Sequence, residues 1–438
     1  MLNIRKKKDK SPIVFEEDVI LEENPEHHKN DTIKAPGDQN KIFGMLNILR
    51  KLVGVKDLIN LRLSLPTQLL DPISNLEYWG YMDHPSYFTK IPENDDPLER
   101  LLQTLRWWVV KDSKYTKNRV VKPFNSILGE RFFCRWRVER EPHDSESSKS
   151  QSSSSSVSLT LPSNVEIDES EYIRVEYITE QISHHPPVSA FSYRCQEKGL
   201  EAVGLDHISA KFSGLSATVS SGSWTKGVFV NLSTRENEEY LCTHPTAQIV
   251  GWITANLKLI CVGSLHVICP KTKLAAVLDF SEKNWYGKIR DVINGKVFRY
   301  NPEKHHVEKW TAKTVPDDVE ILATISGQWA GQSYINYVGG AEGVLLVDMD
   351  NVTPSEKVIK DISEQTEFES RRVWKNIAEN MIENNFGLAT KLKVEIEEKQ
   401  RERAVEREEA GKKFVPALFV DSFESGKPEL LPDAPINL

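Results

Sequence analysis

A chain of 438 residues with 39% apolar and 27% charged side chains is long enough to enclose a large core or a ligand cavity. Its net charge of -8 argues against nucleic-acid binding as the main task, because neutralising phosphates needs clustered Lys and Arg. No apolar run reaches the roughly 18 residues of a helical membrane span. The basic start (Arg5, Lys6, Lys7, Lys8, Lys10) is not followed by the apolar stretch of a secretory signal. The five cysteines (Cys134, Cys195, Cys242, Cys261, Cys269) never take CxxC spacing, which suits reduced thiols better than a zinc site or a disulfide framework.

In chain order, residues 1–35 read as a polar, disordered tail. Over 41–53, Ile42, Phe43, Met45, Leu46, Ile48, Leu49, Leu52 and Val53 recur at helical spacing; a core-packed helix and a mobile amphipathic lid both fit. The segment PLERLLQTLRWWVV predicts a helix over 97–110, with Pro97 in its first turn. Residues 142–170, holding Ser145, Ser147, Ser148, Ser150 and Ser152 to Ser156, form a low-complexity loop insertion. From Tyr172 the period changes to alternation, with Ile173, Val175 and Tyr177 on one face. Further β-rich runs fall at 227–233, 247–253, 257–262, 265–269, 274–280 and 296–300, with Asn294-Gly295 predicted as a turn. Many short strands without intervening helices predict an antiparallel meander closing into a barrel, which removes exposed edges. Residues 385–413, dense in alternating charges, predict a solvated helix, and 421–438 a C-terminal tail.

Three strings carry chemistry. In Glu180-Gln181-Ile182-Ser183-His184-His185-Pro186-Pro187-Val188-Ser189-Ala190-Phe191, two imidazoles meet two prolines that end a strand. A plain strand end, a catalytic His, a metal ligand or an anion site fed by imidazole N–H groups all fit this string. No nucleophile elbow or HEXXH motif accompanies it. Lys122-Pro123-Phe124-Asn125-Ser126-Ile127-Leu128-Gly129-Glu130 sets a cation and an amide on a stiffened segment, and by itself is a turn with a surface lysine. Lys393, Glu397 and Arg401 stand at i, i+4 and i+8 of a helix, where a weak surface salt-bridge ladder is the ordinary reading.

Taken together these strings resemble the oxysterol-binding-protein-related family. EQISHHPPVSAF is similar to its EQVSHHPP fingerprint, KPFNSILGE to its KPxNPxLGE segment, and KVEIEEKQR to its C-terminal helix. The likeness extends from about Leu58 to Phe419. Ile182, Ser126 and Phe414 depart from the family pattern without removing a polar group. The resemblance implies a mainly β (α+β) domain over 36–420: a large near-closed antiparallel barrel around an apolar tunnel, with an N-terminal lid and C-terminal helices. The lid spans about 36–60, with Ile42, Phe43, Leu46 and Leu49 as its apolar stripe, and the C-terminal helical region about 355–413. With no pleckstrin-homology, ankyrin or FFAT-type segment recognised, the family's short form is expected.

The resemblance further implies that Lys122, Asn125, His184, His185, Lys393, Glu397 and Arg401 form a headgroup site for phosphatidylinositol 4-phosphate. A sterol or phosphatidylserine is the implied second occupant, and no cofactor or metal is implied. Each buried methylene gains about 0.8 kcal/mol, so the tunnel would make extraction from a bilayer nearly an even exchange. The expectation is a cytoplasmic, monomeric, non-enzymatic exchanger, peripheral on membranes and at endoplasmic reticulum contact sites. A non-transferring lipid sensor or scaffold is the alternative.

Overall fold

The computed structural model describes residues 67–78, 80, 82–117, 122–140, 168–212, 217–250, 258–283 and 290–438. The expected N-terminal tail and lid, and nearly all of the serine-rich insertion, lie outside these residues. Among the described residues four helices precede the sheet: α1 (Asn75–Tyr78), α2 (Pro85–Thr89), α3 (Pro97–Val110) and α4 (Ser113–Lys117). Fourteen antiparallel strands follow, β1 (Arg131–Glu139), β2 (Tyr172–His184), β3 (Pro187–Cys195), β4 (Leu200–Phe212), β5 (Ala217–Ser221), β6 (Val228–Leu232), β7 (Glu238–Cys242), β8 (Thr246–Val250), β9 (Lys258–Cys269), β10 (Leu274–Lys283), β11 (Arg290–Arg299), β12 (Glu320–Gln328), β13 (Gln332–Tyr337) and β14 (Val344–Asp348). Helices α5 (Ser370–Ile382) and α6 (Phe386–Glu409) close the order.

The strands form one sheet that curls into a near-ring, as the meander predicts, with β1 and β14 at its two ends. Within it β4, β5, β8, β9, β7 and β6 pair in a closed circuit, because two long strands each serve two neighbours. The runs expected at 257–262 and 265–269 are one such strand, β9, which changes partner at Gly263, where φ is +82°. The turn expected at Asn294-Gly295 is absent: both residues lie inside β11, paired with Asp279 and Leu278 of β10. Glycine stands there because the next strand approaches closely; a Cβ would lie 2.7 Å from the Val277 carbonyl oxygen. The edge of β1 is covered rather than exposed, Arg135 and Val358 exchanging backbone bonds of 3.0 and 2.8 Å.

Helix α3 forms over 97–110 as its pattern predicts, with Pro97 at its first position and Asp96 capping Leu98 N–H at 2.9 Å. Its burial exceeds one stripe. Arg100, Thr104 and Trp107 are buried along with Leu101, Leu102, Leu105 and Trp108, because the helix packs against β7, β9, β10 and β14. Arg100 accordingly donates to Glu238 at 2.9 and 2.7 Å and to the carbonyls of Asn94 and Asp95. Residues 415–438, including the segment read as a tail, run over the other face of the sheet. There Leu418, Phe419, Phe423, Leu430 and Leu438 pack on Phe133, Ile178 and Val188.

Candidate functional site

The site grows from three places in the sequence. Lys122 to Glu130 does not form a free turn. Its backbone pairs on one side with 71–75, Phe124 N–H reaching the Ile73 carbonyl at 2.9 Å and Asn75 N–H the Phe124 carbonyl at 3.1 Å. On the other side Gly129 N–H donates to the Gln181 carbonyl and Gln181 N–H to the Glu130 carbonyl, at 2.9 and 2.8 Å. Phe124 stacks on Trp374 of α5, ring centres 4.6 Å apart, in a small core with Ile127, Ile377, Phe386 and Ala389. This core draws α6 to the segment and brings Lys393 beside Lys122.

There the electrostatics are unusual. The Lys122 ammonium donates to the Asn125 amide oxygen at 2.7 Å and the Pro123 carbonyl at 3.1 Å, both neutral. Burial, and then the Lys393 charge, push its pKa down to about 8. Lys393 is only 5% exposed and donates to Glu397 at 2.6 Å. The surface-ladder reading fails at that position. Arg401, two turns and roughly 12 Å further along α6, is exposed.

The His pair sits at the tip of the β2–β3 hairpin, where His185 and Pro186 make the turn between His184 and Pro187. The His184 and His185 rings lie 4.5 Å apart at 60°, so the turn gathers two neighbours that an extended strand would send to opposite faces. A register shift between Gln181 and Ser183 makes Ile182 the extra residue of a bulge, which re-aims the tip. Ser183 Oγ donates to the Pro186 carbonyl at 2.7 Å and braces the turn. Backbone bonds thus tie the hairpin to the Lys122 segment at Gln181, and packing ties that segment to Lys393. A small cleft of about 40 Å³, lined by Leu76, Tyr177, Gln181, Pro187, Ser189 and Asp206, opens beside the hairpin.

Two glutamates inside the quoted strings had no assigned role, and both prove structural. Glu130, fully buried, accepts from Ser370 Oγ at 2.7 Å, Trp374 Nε1 and Ile127 N–H at 3.0 Å each. Glu180, also fully buried, accepts from the backbone N–H groups of Ala417 and Leu418. Burial raises both carboxyls against those bonds. Their one sequence signal was a carboxylate inside a strand-like or apolar string. Among the described residues, no cluster of three or more His, Cys, Asp and Glu could hold a metal, and all five cysteines are buried free thiols.

Chemically, a barrel rim bearing two close ammonium groups, an amide and two imidazoles suits a polyanionic group held by charge-assisted bonds. The comparisons with known proteins agree on the class. The family model described as oxysterol-binding protein matches residues 44–390. Oxysterol-binding protein-like protein 1 of Schizosaccharomyces pombe is 34% identical, over 95% of this chain and 94% of that protein. Human oxysterol-binding protein-related protein 9 is 29% identical over 82% of the chain, which spans only 44% of that protein's length. Two solved structures share the fold at a TM-score of 0.60 and 18% identity. They are the Osh1 ORD domain in complex with cholesterol, over 91% of this chain and 87% of that one, and the Osh3 ORD of Saccharomyces cerevisiae in complex with PI(4)P, over 89% and 91%. The chain belongs to the oxysterol-binding protein family.

Proposed function

We propose that the protein is a lipid carrier and not an enzyme. It takes phosphatidylinositol 4-phosphate at the Lys122–Lys393 rim and exchanges it for a sterol or phosphatidylserine between membranes, as a peripheral protein of the cytoplasm. The observation that carries this is the unmatched charge of Lys122. Its ammonium meets neutral oxygens and a second lysine, an arrangement that costs energy until an anion arrives. A phosphomonoester brings roughly two charges and three acceptor oxygens, enough to engage both lysines, with the hairpin imidazoles able to donate further. The crystallised relatives hold PI(4)P in one case and cholesterol or ergosterol in others, which supports two alternating cargoes. The buried apolar wall of the near-ring suits acyl chains or a sterol nucleus.

Mass spectrometry of lipids copurifying with the protein tests the cargo, and a donor-to-acceptor liposome assay tests the transport. The expected outcome is a phosphoinositide and one second lipid, with many lipids moved per protein. Stoichiometric binding without movement would replace the carrier by a sensor.

A further inference from the structure

We propose that Glu180 is a positioning residue for the phosphoinositide headgroup, acting through the C-terminal strap that it fastens to the His184–His185 hairpin. This rests on the carrier reading above and names what holds the site's distant halves in register.

The strap is the chain that leaves α6, the helix of Lys393. After Glu409 it turns at Gly411, where φ is +61°, and passes Phe414 against Gly129. Gly129 is constrained twice. Its φ of +81° suits glycine, and a Cβ there would stand 3.3 Å from the Phe414 ring. The strap then meets the sheet at the Glu180 side chain. Ala417 N–H reaches the two carboxylate oxygens at 2.9 and 3.1 Å, and Leu418 N–H reaches Oε2 at 2.8 Å. Arg131, paired with Glu180 across the β1–β2 ladder, stands 3.9 Å from Oε1. Beyond this point Leu418 and Phe419, at 0% and 1% exposure, lock onto Ile178, Ile182 and Val188, residues of both hairpin strands.

Glu180 also sits immediately before the bulge that aims the tip, so the clamp sets where the hairpin departs from regular register. One carboxylate therefore joins the strand bearing the imidazoles to the chain that continues from the Lys393 helix. A carboxylate is required by chemistry rather than volume. Two convergent N–H donors meet two acceptor oxygens, whereas glutamine would turn an NH2 toward one of the donors.

The test is a double-mutant cycle between Glu180→Gln, which keeps the volume, and Ala417→Pro, which removes a donor from the strap without touching β2. Binding of water-soluble short-chain phosphatidylinositol 4-phosphate and of a fluorescent sterol is measured on each folded variant, with hydrogen exchange at 182–188. Each single variant is expected to lose roughly tenfold in phosphoinositide affinity and to hold the sterol within about twofold. The double variant should be no worse than the poorer single, and exchange at the hairpin tip should rise. Equal loss of both lipids would make Glu180 an ordinary stability residue, and unchanged phosphoinositide affinity would overturn the proposal outright. Fully additive losses would sever Glu180 from the strap. Wild-type protein that binds no phosphoinositide would end the carrier reading instead, so the two failures are distinguishable.

Discussion

Lys114 and Lys122 stand eight residues apart, and both are pushed down to about 8 by burial, yet their surroundings differ in kind. Lys114 lies where the helical cover meets the β1 end of the sheet. Its ammonium donates to the carbonyls of Tyr78 and Gly80 at 2.7 and 3.4 Å and lies 5.1 Å from the Tyr78 ring centre. Asp83 and Asp112 attract it while Lys357 and Lys111 repel it, and Lys357 and Lys111 are themselves bonded to those acids at 2.6 Å. Three ammonium groups there share two carboxylates, so attraction offsets part of the repulsion that Lys114 feels. At the rim, after burial, the influence on Lys122 is the repulsion of Lys393, and its own bonds go to neutral oxygens. Buried charge with opposite charges beside it holds a fold together, whereas a charge that meets only neutral groups and like charge awaits a ligand.

The comparison predicts that damage to buried charge paired within the protein strikes stability and spares headgroup affinity, and the largest such effect belongs to the Arg100–Glu238 pair of α3 and β7. Arg100→Met would strand Glu238, buried with only the Tyr240 hydroxyl left to donate to it, at a cost of about 3–5 kcal/mol in denaturant unfolding. The pH dependence should reverse as well. Burial raises the Glu238 carboxyl, but the Arg100 and Tyr240 bonds outweigh it and leave the group below its ordinary value. Its stabilisation in wild type is therefore present above the unfolded pKa and lost as pH falls through the folded one. Without Arg100, burial prevails, the folded pKa rises, and the variant should gain stability relative to wild type on mild acidification. A variant whose deficit is the same at pH 5 and pH 8 would break this account.

Two variants sharpen the contrast from either side. His184→Ala with His185→Ala should cost about two decades in phosphoinositide affinity, from charge-assisted bonds of about 1.5–3 kcal/mol each, with a smaller change in unfolding because His185 is exposed and His184 only partly buried. Lys114→Met should leave phosphoinositide affinity within twofold, while in unfolding the loss of two carbonyl partners, about 1–3 kcal/mol, is set against the recovered cost of a charge that burial also holds down. Headgroup binding that fell with Lys114→Met would make the Lys114 cluster part of the site.

How much of this was legible before folding follows from the range of each signal. Alternation from Tyr172 onward marks β2 because one face of that strand is continuously buried, and Pro97 with a helical stripe marks α3 because caps are local. Asn294-Gly295 misled because the same dipeptide serves a hairpin turn or a close strand approach, and only the neighbouring Val277 carbonyl decides. At the rim, Lys122 and the His pair were visible as motifs. The burial of Lys393 was not, since the short apolar stripe of its helix (Phe386, Ala389, Leu392, Ile396) is crowded by charges, and the surface it packs on is the Phe124–Trp374 core, two rings some 250 residues apart in sequence. The clamps of Glu130 and Glu180 were hidden for the same reason. Their donors lie at Ser370, Trp374, Ala417 and Leu418, beyond any periodicity.

The smallest expected effect on stability belongs to the variant that separates the two lysines most cleanly. Lys122→Met should stabilise the lipid-free protein while abolishing most of its phosphoinositide affinity. A lysine whose folded pKa is about 8 against an ordinary 10.5 binds its proton less readily when folded. Unfolding therefore takes up a proton between those values, stability rises with pH across that window, and below it the charged lysine is a standing cost. Removing the charge recovers that cost, about 1 kcal/mol at neutral pH once the screening of a half-buried group is allowed for. The wild-type rise in stability from pH 8 to 10 should flatten in the variant by the same amount. Phosphoinositide binding should show the converse in wild type: the anion raises the Lys122 pKa, so affinity declines as pH climbs past 8, and this decline should vanish in Lys122→Met. Urea unfolding and short-chain phosphoinositide titrations at pH 7, 8, 9 and 10 on both proteins measure the two slopes together. A variant less stable than wild type at pH 7 would mean that Lys122 is already answered within the protein, and the difference between the two lysines would disappear.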